Sequence, residues 1–306
     1  MAYPKNNGTK STFFYKAYAS KHLHNRRQLM KICENVHQIK IDFNVTQEIK
    51  RYVYVYLITG KYCYLIDAGI KGSEKIIDSY MAKLGRSISE IKSVFLTHAH
   101  PDHIGSLAEL KRLSGCEVYA SDIEKKWIED IDVQFNERPI PNFYSLVNES
   151  VKVDQVIKGN DEFVLEPGLT ISVLETPGHS NGSVSYIYKE NKVIFCGDAI
   201  PVADDFPIFV DEAESELSII KIQNTRNIDF CCPAWDRIYY KDEIMDITQC
   251  GLEILRNLKK YVFEFKSNGQ KISEKEIQQI GVNMGFGNMV GNPLFRKSIE
   301  ACTKVC

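Results

Sequence analysis

Three of the seven histidines in this 306-residue chain fall within six positions, in the stretch THAHPDHIG at residues 97–105. The apolar run KSVFLT before the stretch predicts a short buried strand, and IGSLAELKRLSG after it has the apolar spacing of a helix. The histidines therefore lie on a loop at the end of a strand. Loops on a rigid scaffold are where ligand sets are usually built, so we expect one here.

The spacing of the four ligand-type side chains indicates metal binding. Side-chain direction repeats every two residues in an extended segment, so His98 and His100 point the same way. Converging imidazole nitrogens suit zinc, iron or manganese. Asp102 and His103 fall at the turn into the helix and can face a neighbouring position, which favours two metal ions over one. Ordinary surface or capping positions do not require four ligand-type side chains within six residues.

Strands and helices are predicted in two comparable halves. The first half contains a hairpin in RYVYVYLITGKYCYLIDAG, a helix in SEKIIDSYMAKLG and a strand in CEVYAS. The second half has strands in FVLEPGLTISVLETPGHS, GSVSYIY and KVIFCGDAIP, then helices in SELSIIKIQN and DEIMDITQCGLEILRNLKKYVFEF. A last helix in ISEKEIQQIGVNMGF opens with Ser273 and Glu276 at capping-box spacing. This order suggests two packed sheets with helices outside.

The segment at residues 122–161, between the halves, is irregular and carries several aromatic residues and two prolines. It is interpreted either as a lid or substrate-contact insert, or as a packed surface excursion.

The histidine loop resembles the HxHxDH signature of the metallo-β-lactamase-fold superfamily, in its glyoxalase II-like branch. Asp67 in LIDAG resembles the first motif of that superfamily, His179 in ETPGHSNGS the third, and Asp198 in FCGDAI the bridging aspartate. The match runs from about residue 51 to about 236. The resemblance implies an α/β fold with four αββα layers, here with additional C-terminal helices.

The resemblance also implies a ligand set for one or two divalent ions, zinc in the first place, with iron or manganese as alternatives. The ligands would be His98, His100 and His179 for the first ion, Asp102 and His103 for the second, and Asp198 as a bridge. Asp67 would stand behind the ligands and accept hydrogen bonds that orient the loop.

One family element is missing. The superfamily commonly supplies a further histidine after a late strand, but here that strand is IDFCCPAWD and Trp235 stands in the expected place. No histidine follows His179. The second site could be completed by Asp236, by Cys231 or Cys232, or by water and substrate, and single-metal chemistry stays open. Asp236 is interpreted rather as a turn residue paired with Arg237, and Trp235 as a wall of the pocket.

The ligand set indicates hydrolysis. Metal coordination lowers the pKa of bound water to about 7, and Asp102 would orient the nucleophile and pass a proton to the leaving group. An ester, thioester, lactone or amide bond is favoured over a phosphodiester. The alternatives are a mononuclear non-haem iron enzyme of sulfur or oxygen redox chemistry, using His98, His179 and Asp198, and a non-catalytic metal-binding protein.

Composition bears on partners and location. The net charge of −2 predicts no nucleic-acid binding, and a small-molecule substrate is expected. The absence of a secretory signal and of long apolar runs predicts a cytoplasmic protein without membrane segments, whose nine scattered cysteines are reduced. Phe206, Phe209 and Trp235 could receive an apolar group or form core. Homo-oligomer formation is left open.

Two parts of the chain are predicted. Residues 1–240 would form the metallo-β-lactamase-like domain, with about 40 peripheral residues at its N-terminus. Residues 241–306 would form a helical extension packed on that domain, beginning with a long core-facing helix.

Overall fold

Alternating and continuous apolar runs in this chain form two β-sheets. The computed structural model describes residues 30–45, 50–203, 205–266, 271–287 and 289–303. The strands are β1 (Met30–Cys33), β2 (Val36–Asn44), β3 (Lys50–Thr59), β4 (Cys63–Ile66), β5 (Ile91–Phe95), β6 (Glu117–Ser121), β7 (Gln155–Ile157), β8 (Glu162–Glu166), β9 (Leu169–Glu175), β10 (Val184–Tyr188), β11 (Val193–Gly197), β12 (Phe230–Pro233) and β13 (Tyr239–Tyr240).

The two sheets have the strand orders β1 to β7 and β13-β12-β11-β10-β9-β8. The predicted hairpin joins β3 and β4 as antiparallel neighbours, and β4, β5, β6 and β7 then run parallel. In the second sheet only β11 and β12 pair in parallel. Since β4 and β5 are parallel, their carboxyl ends meet at one edge, where the loop after β5 begins.

The predicted helices are present, but the expectation that residues 122–161 are irregular is wrong, because three helices and β7 form there, and a further helix that was not predicted ends the described chain. The helices are α1 (Ser73–Lys83), α2 (Pro101–Ile104), α3 (Leu107–Ser114), α4 (Asp122–Glu129), α5 (Ile131–Glu137), α6 (Phe143–Leu146), α7 (Glu212–Asn224), α8 (Lys241–Phe265), α9 (Glu274–Asn283) and α10 (Pro293–Thr303), with a 3₁₀ turn at Ile88–Glu90. The capping box of Ser273 and Glu276 is formed at the start of α9. The segment at residues 122–161 contains α4, α5 and α6.

The layers are set by three apolar interfaces. Tyr56, Phe95 and Tyr186 are among the buried side chains packed between the two sheets. On the outer face of the first sheet, Ile77 of α1 and Leu110 of α3 pack with the strands. Further clusters join the outer face of the second sheet to α7 and α8. The predicted four-layer αββα sandwich with additional C-terminal helices is confirmed.

The ends of the chain bear on the expected domain organisation. Helices α8, α9 and α10 share one apolar cluster, with Leu255, Ile277 and Phe295 buried in it. A domain boundary at residue 240 stays a prediction.

The expectation that about 40 N-terminal residues are peripheral needs correction for residues 30–40, because β1 and β2 extend the first sheet and Ile39 is buried. Residues 1–29 lie outside the described residues.

Two expectations from composition concern the chain as a whole. All eight cysteines in the described ranges are free thiols. None of the helices in those ranges combines the length and apolar character that crossing a bilayer requires.

Gly178 holds the loop after β9 against α7. Its φ is +126°, and a Cβ at this position would lie 2.4 Å from the backbone nitrogen of Ser215. The backbone nitrogens of Val210 and Asp211 donate hydrogen bonds to its carbonyl oxygen. A side chain therefore fits neither the conformation nor the space, and this contact fixes the position of the next residue, His179.

We expect Gly178→Ala to destabilise the protein more than Gly168→Ala. Gly168 also has positive φ, +79°, but no atom lies within 4 Å of the position of its Cβ. The control change should cost about 1–2 kcal/mol from the backbone conformation, and overpacking should add about 1–3 kcal/mol at Gly178. Urea unfolding measures both free energies. If both variants lose the same unfolding free energy, crowding of Ser215 by the new side chain does not destabilise the protein.

Candidate metal centre

The predicted ligands are brought together from the ends of strands in both sheets. Asp67 follows β4, and the HxHxDH residues lie on the loop between β5 and α2 and on α2 itself. His179 lies between β9 and β10, and Asp198 directly follows β11. Residues distant in sequence thus meet at one edge of the sandwich.

Three imidazole nitrogens converge at the first group. Nδ1 of His100 lies 2.9 Å from Nε2 of His98 and 2.9 Å from Nε2 of His179. The two ligand nitrogens of a tetrahedral zinc site, with Zn–N of about 2.0–2.1 Å, lie about 3.3 Å apart. A single in-plane lone pair on Nδ1 cannot accept good hydrogen bonds from both neighbours. A shared cation suits the arrangement better than hydrogen bonds do.

A second group shares His98 with the first. His98, His103 and Asp198 hold ligand atoms within 4.8 Å of one another. Asp198 faces both groups, with Oδ2 3.4 Å from Nε2 of His179 and Oδ1 3.4 Å from Nε2 of His103. Oδ2 of Asp102 lies 3.9 Å from the same Nε2 of His103. The carboxylate of Asp198 therefore lies where a bridging ligand would be needed.

Several buried polar atoms at this centre have no hydrogen-bond partner among the described residues. They include Nε2 of His103 and Oδ1 of Asp198. Both side chains are almost fully buried, and an unsatisfied buried polar group is costly. Imidazole nitrogens and carboxylate oxygens are ligands that zinc, iron and manganese accept. The residues present therefore fit one or two divalent ions.

Hydrogen bonds on the far side of each ring fix the imidazole tautomers. Nδ1 of His103 faces Oδ2 of Asp67 at 2.8 Å, and Nδ1 of His179 faces the carbonyl oxygen of Ile208 at 2.7 Å. Each acceptor requires a proton on Nδ1. Nδ1 of His98 lies 3.0 Å from Oγ1 of Thr97, whose hydroxyl donates to Asp67. In all three rings Nε2 is left to face the centre, as metal ligation requires.

Burial keeps the three histidines of the first group neutral. Burial, together with the nearby charged groups, lowers the pKa of His98 and of His100 well below the usual value, and the pKa of His179 falls to about 4. Metal binding requires neutral imidazole, so these side chains are prepared for it at neutral pH.

Opposing effects act on the groups of the second site. Burial would lower the pKa of His103, but Asp198, Asp67 and Asp102 outweigh burial and raise that pKa well above its usual value. Burial raises the pKa of Asp102. For Asp198 the effect of burial is overcome by His103 and His179, which hold its pKa well below the usual value. The three carboxylates around His103 therefore favour positive charge at this position.

Asp67 contacts the loop of candidate ligands through its carboxylate. It has φ of +62°, and its carboxylate accepts hydrogen bonds from the backbone nitrogen of Thr97 at 2.8 Å and from His103. The end of β4 is thereby tied to the loop and to α2.

Two further supports were not predicted from the sequence. The carboxylate of Glu124 accepts hydrogen bonds from the backbone nitrogens of Ala99 and Gly182, both at 2.8 Å, and from the hydroxyl of Ser180. The side-chain amide of Gln134 donates to the carbonyl oxygen of Ala99. Both residues lie on helices of the segment at residues 122–161. No local motif marks them. Once the fold is known, the 3 % exposure of Glu124 indicates a supporting role, because a glutamate is rarely buried without partners.

The groups considered as replacements for the late histidine lie elsewhere. Asp236 is exposed, and its carboxylate accepts a hydrogen bond from Tyr239. Arg237 pairs with Glu243 at 2.8 Å, so the expected pairing of Asp236 with Arg237 is wrong. Cys231 and Cys232 are buried in separate apolar clusters. None of these side chains belongs to the groups that could hold a metal within the described part of the chain.

A cavity of about 510 Å³ opens beside the ligands. His100, Asp102, His179 and Asp198 contribute to its lining. The segment at residues 122–161 contributes Arg138, Ile140, Pro141 and Leu146 to the walls, and residues 289 and 291–294, at and before the start of α10, contribute as well. The segment therefore contacts the space that a substrate would occupy, and the C-terminal part of the chain does so too.

The aromatic residues proposed for the pocket separate into two groups. Trp235 and Phe206 line the cavity. Phe209 is buried with the C-terminal helices and forms core. Arg138, which also lines the cavity, was not singled out by sequence, because a lone arginine in an irregular segment carries no pattern.

Known proteins share this sequence pattern. The profile of the Metallo-beta-lactamase superfamily matches residues 49–233, more than half of the chain. The probable metallo-hydrolase YqgX of Bacillus subtilis is 32 % identical over 47 % of this chain and 64 % of its own length. The probable metallo-hydrolase YybB of the same organism is 26 % identical over 71 % of this chain and 94 % of its own.

A hydroxyacylglutathione hydrolase of Rhodopseudomonas palustris is 28 % identical over 47 % of this chain and 49 % of that protein. This chain thus spans about half the length of that relative.

Solved structures share the fold. A metallo-beta-lactamase family protein of Thermus thermophilus superposes with a TM-score of 0.67 over 89 % of this chain and 93 % of that one, at 14 % identity. The subclass B3 enzyme BJP-1 of Bradyrhizobium japonicum gives a TM-score of 0.56 over 78 % and 93 %, at 20 % identity. The ordered motifs, the sandwich and the profile match agree, and the chain belongs to the metallo-β-lactamase superfamily.

Proposed function

We propose that this protein is a metal-dependent hydrolase that cleaves an ester, thioester, lactone or amide bond. The observation that carries the proposal is the convergence of four histidines and Asp198 on two overlapping ligand groups beside an open cavity. A purely structural metal site is closed by its ligands and needs no such cavity. The similarity to proteins named as hydrolases supports the proposal further.

The ligand assignment follows the geometry. His98, His100 and His179 would hold the first ion, while Asp102 and His103 would hold the second, with Asp198 between them. A divalent ion bound there supplies Lewis-acid chemistry and lowers the pKa of coordinated water from about 15.7 to about 7. The second group offers fewer neutral ligands than the first, so the second ion should bind more weakly.

Asp102 is the proposed proton carrier. It lines the cavity with its side chain 18 % exposed, so it can reach both a water molecule and a substrate. Burial raises its pKa, which favours accepting a proton at its carboxylate. In the proposed reaction Asp102 orients the attacking water, takes its proton and returns it to the leaving group.

Acyl transfer is favoured over phosphodiester cleavage. The cavity walls are largely apolar, formed in part by Ile140, Leu146 and Trp235. Such walls receive an acyl chain better than a polyanionic nucleic-acid backbone. The hydroxyacylglutathione hydrolases among the relatives are named for hydrolysis of an acyl compound, which supports the same choice.

Zinc is proposed as the metal because the first ligand group consists of three imidazoles, the donor set of many catalytic zinc sites. Iron and manganese accept the same donors. Elemental analysis of protein from cells supplied with all three metals decides between them. Iron as the bound metal, with O₂ uptake on a persulfide substrate and no hydrolysis, would contradict the proposed reaction.

We predict that His98→Ala abolishes zinc binding at the first site and weakens it at the second, because Nε2 of His98 faces the other nitrogens of the first group and His98 also lies beside His103 and Asp198. Zinc titration by calorimetry should show the loss, and hydrolysis of responsive esters should fall more than about 100-fold. His37→Ala is the matched control, since His37 is equally a buried histidine but contacts Tyr80. Undiminished zinc binding in His98→Ala would contradict the ligand assignment.

We predict a smaller effect for Asp67→Asn. The asparagine side chain has one acceptor oxygen where the carboxylate had two. His103 therefore loses the acceptor that orients its ring. Zinc affinity should fall about 10–100-fold, mainly at the weaker site. Competition titration with a chromophoric chelator measures it. Asp161→Asn, which changes a carboxylate that caps the backbone nitrogen of Lys158, should leave the affinity unchanged.

We expect chelation to abolish the hydrolysis of every ester, thioester, lactone or amide that the metal-loaded protein cleaves. The metal ligands hold no alternative nucleophile, so activity should return only when divalent metal is restored. Rates before chelation, after it and after reloading measure this. A rate that survives complete metal removal would contradict metal-dependent hydrolysis.

A further inference from the structure

Arg138 brings a buried positive charge to the wall of the catalytic cavity. It follows α5 directly, is 5 % exposed and lines the cavity together with His100, Asp102 and Asp198. The segment that carries it is fixed, because Gln134 of the same helix is bonded to the loop at Ala99. A guanidinium in this place faces any molecule that reaches the metal ligands.

The guanidinium of Arg138 has no ion-pair partner of its own within the described ranges. No carboxylate there lies within 4.0 Å of it, although Asp102, Asp198 and Glu124 are near enough to raise its pKa against the lowering effect of burial. The oxygens of Glu124 are occupied by the hydrogen bonds from Ala99, Ser180 and Gly182. Asp102 and Asp198 belong to the ligand set, where a divalent ion would take up their charge.

A second arginine at the same cavity shows the contrast. Arg51 lines the cavity too, but its guanidinium is held by both oxygens of Asp205, at 2.7 and 3.1 Å. Arg51 is therefore neutralised within the protein, whereas Arg138 is not neutralised by a described residue. Lys297 lies close enough to Arg138 for the guanidinium, together with burial, to lower the pKa of its ammonium group, and its Nζ donates to the carbonyl oxygen of Glu137.

A buried arginine with no internal counter-ion calls for an external one. Isolated buried charge is costly, and the guanidinium fork matches a carboxylate with two parallel hydrogen bonds. A phosphate dianion would need more hydrogen-bond donors than one guanidinium offers. Arg51, the second arginine at the cavity, does not supply them because it is already paired with Asp205. The charge at this wall thus fits a single carboxylate.

We propose that Arg138 binds a carboxylate group of the substrate and so makes this protein selective for acyl substrates that carry a second, anionic end. The inference rests on the proposed hydrolase function and names its substrate class. In this arrangement the scissile acyl group lies at the metal ligands and the carboxylate lies against Arg138. The apolar walls enclose the chain between them.

The competing explanation is that Arg138 only balances the charge of Asp102 and Asp198. A charge-balancing role would affect every substrate equally, because it acts through the ligand set. A binding role would affect substrates according to their charge. Esters matched in shape but not in charge separate the two roles.

The kinetic test uses mono(4-nitrophenyl) esters of succinic, glutaric and adipic acid, each paired with the ester in which the free carboxylate is a primary amide. For the best-fitting length, Arg138→Gln should lower the ratio of kcat/KM for acid over amide by about 10–100-fold, as expected for a lost charge-assisted hydrogen bond. The loss should lie mainly in KM. Arg138→Lys should recover part of the ratio, because it restores charge without the fork.

The matched control replaces the neutral pair as a whole, Arg51→Gln together with Asp205→Asn, and should change the ratio less than twofold. Zinc content and circular dichroism confirm that each variant is folded and loaded. An equal fall for acid and amide in Arg138→Gln would assign Arg138 to charge balance and overturn the proposal. An equal change of the ratio in the double control variant would attribute selectivity to the cavity as a whole and overturn it as well.

A binding measurement separates this proposal from the hydrolase proposal. Calorimetry with zinc-loaded protein compares succinate, glutarate and adipate with their monoamides. Wild-type protein should prefer the dicarboxylate of one length, and Arg138→Gln should lose that preference. If no ester is cleaved but the preference is present and depends on Arg138, the proposed reaction fails while the carboxylate site stands. No preference in the wild-type protein would overturn the site.

Discussion

The carboxylate of Asp67 is the constraint on which the metal centre depends. It accepts hydrogen bonds from the backbone and hydroxyl of Thr97 and from Nδ1 of His103, so one side chain joins the end of β4 to the loop after β5 and to α2. The bond to His103 places a proton on Nδ1 and turns Nε2 toward the centre. Since β4 and β5 are parallel neighbours, their carboxyl ends bring these groups into reach without any distortion of the sheet.

The second half of the sandwich supplies the remaining ligands under a similar constraint. Gly178 packs against Ser215 in a conformation that other residues rarely adopt, and His179 follows it. Glu124 ties the two halves together, because its carboxylate accepts from Ala99 in one loop and from Gly182 in the other. The relative position of His100 and His179 is therefore held by a residue that is not itself a ligand candidate. Rigid positioning of this kind is what a metal site requires if its ligands come from distant segments.

The cavity lining combines two kinds of polar group with apolar walls. Neutral imidazoles and carboxylates face each other and fit a divalent ion. Near them Arg138 is buried without a described ion-pair partner, while Arg51 is neutralised by Asp205. Ile140, Leu146 and Trp235 line the same cavity. Trp235 stands where a late histidine was expected, and it gives the pocket an apolar surface instead.

The sequence by itself determined the candidate ligand types and their order, because HxHxDH after an apolar strand and the isolated His179 and Asp198 are local patterns that survive without coordinates. Strand and helix periodicity predicted two packed sheets with helices outside, and the family resemblance supplied the αββα order of the layers. Only the tertiary structure decided that Asp236, Cys231 and Cys232 lie away from the ligands and that Phe209 is core while Phe206 lines the cavity. It alone brought Glu124 and Arg138 to the site, since both lie in a segment without a motif. Their importance comes from burial and from partners distant in sequence, which no local pattern encodes.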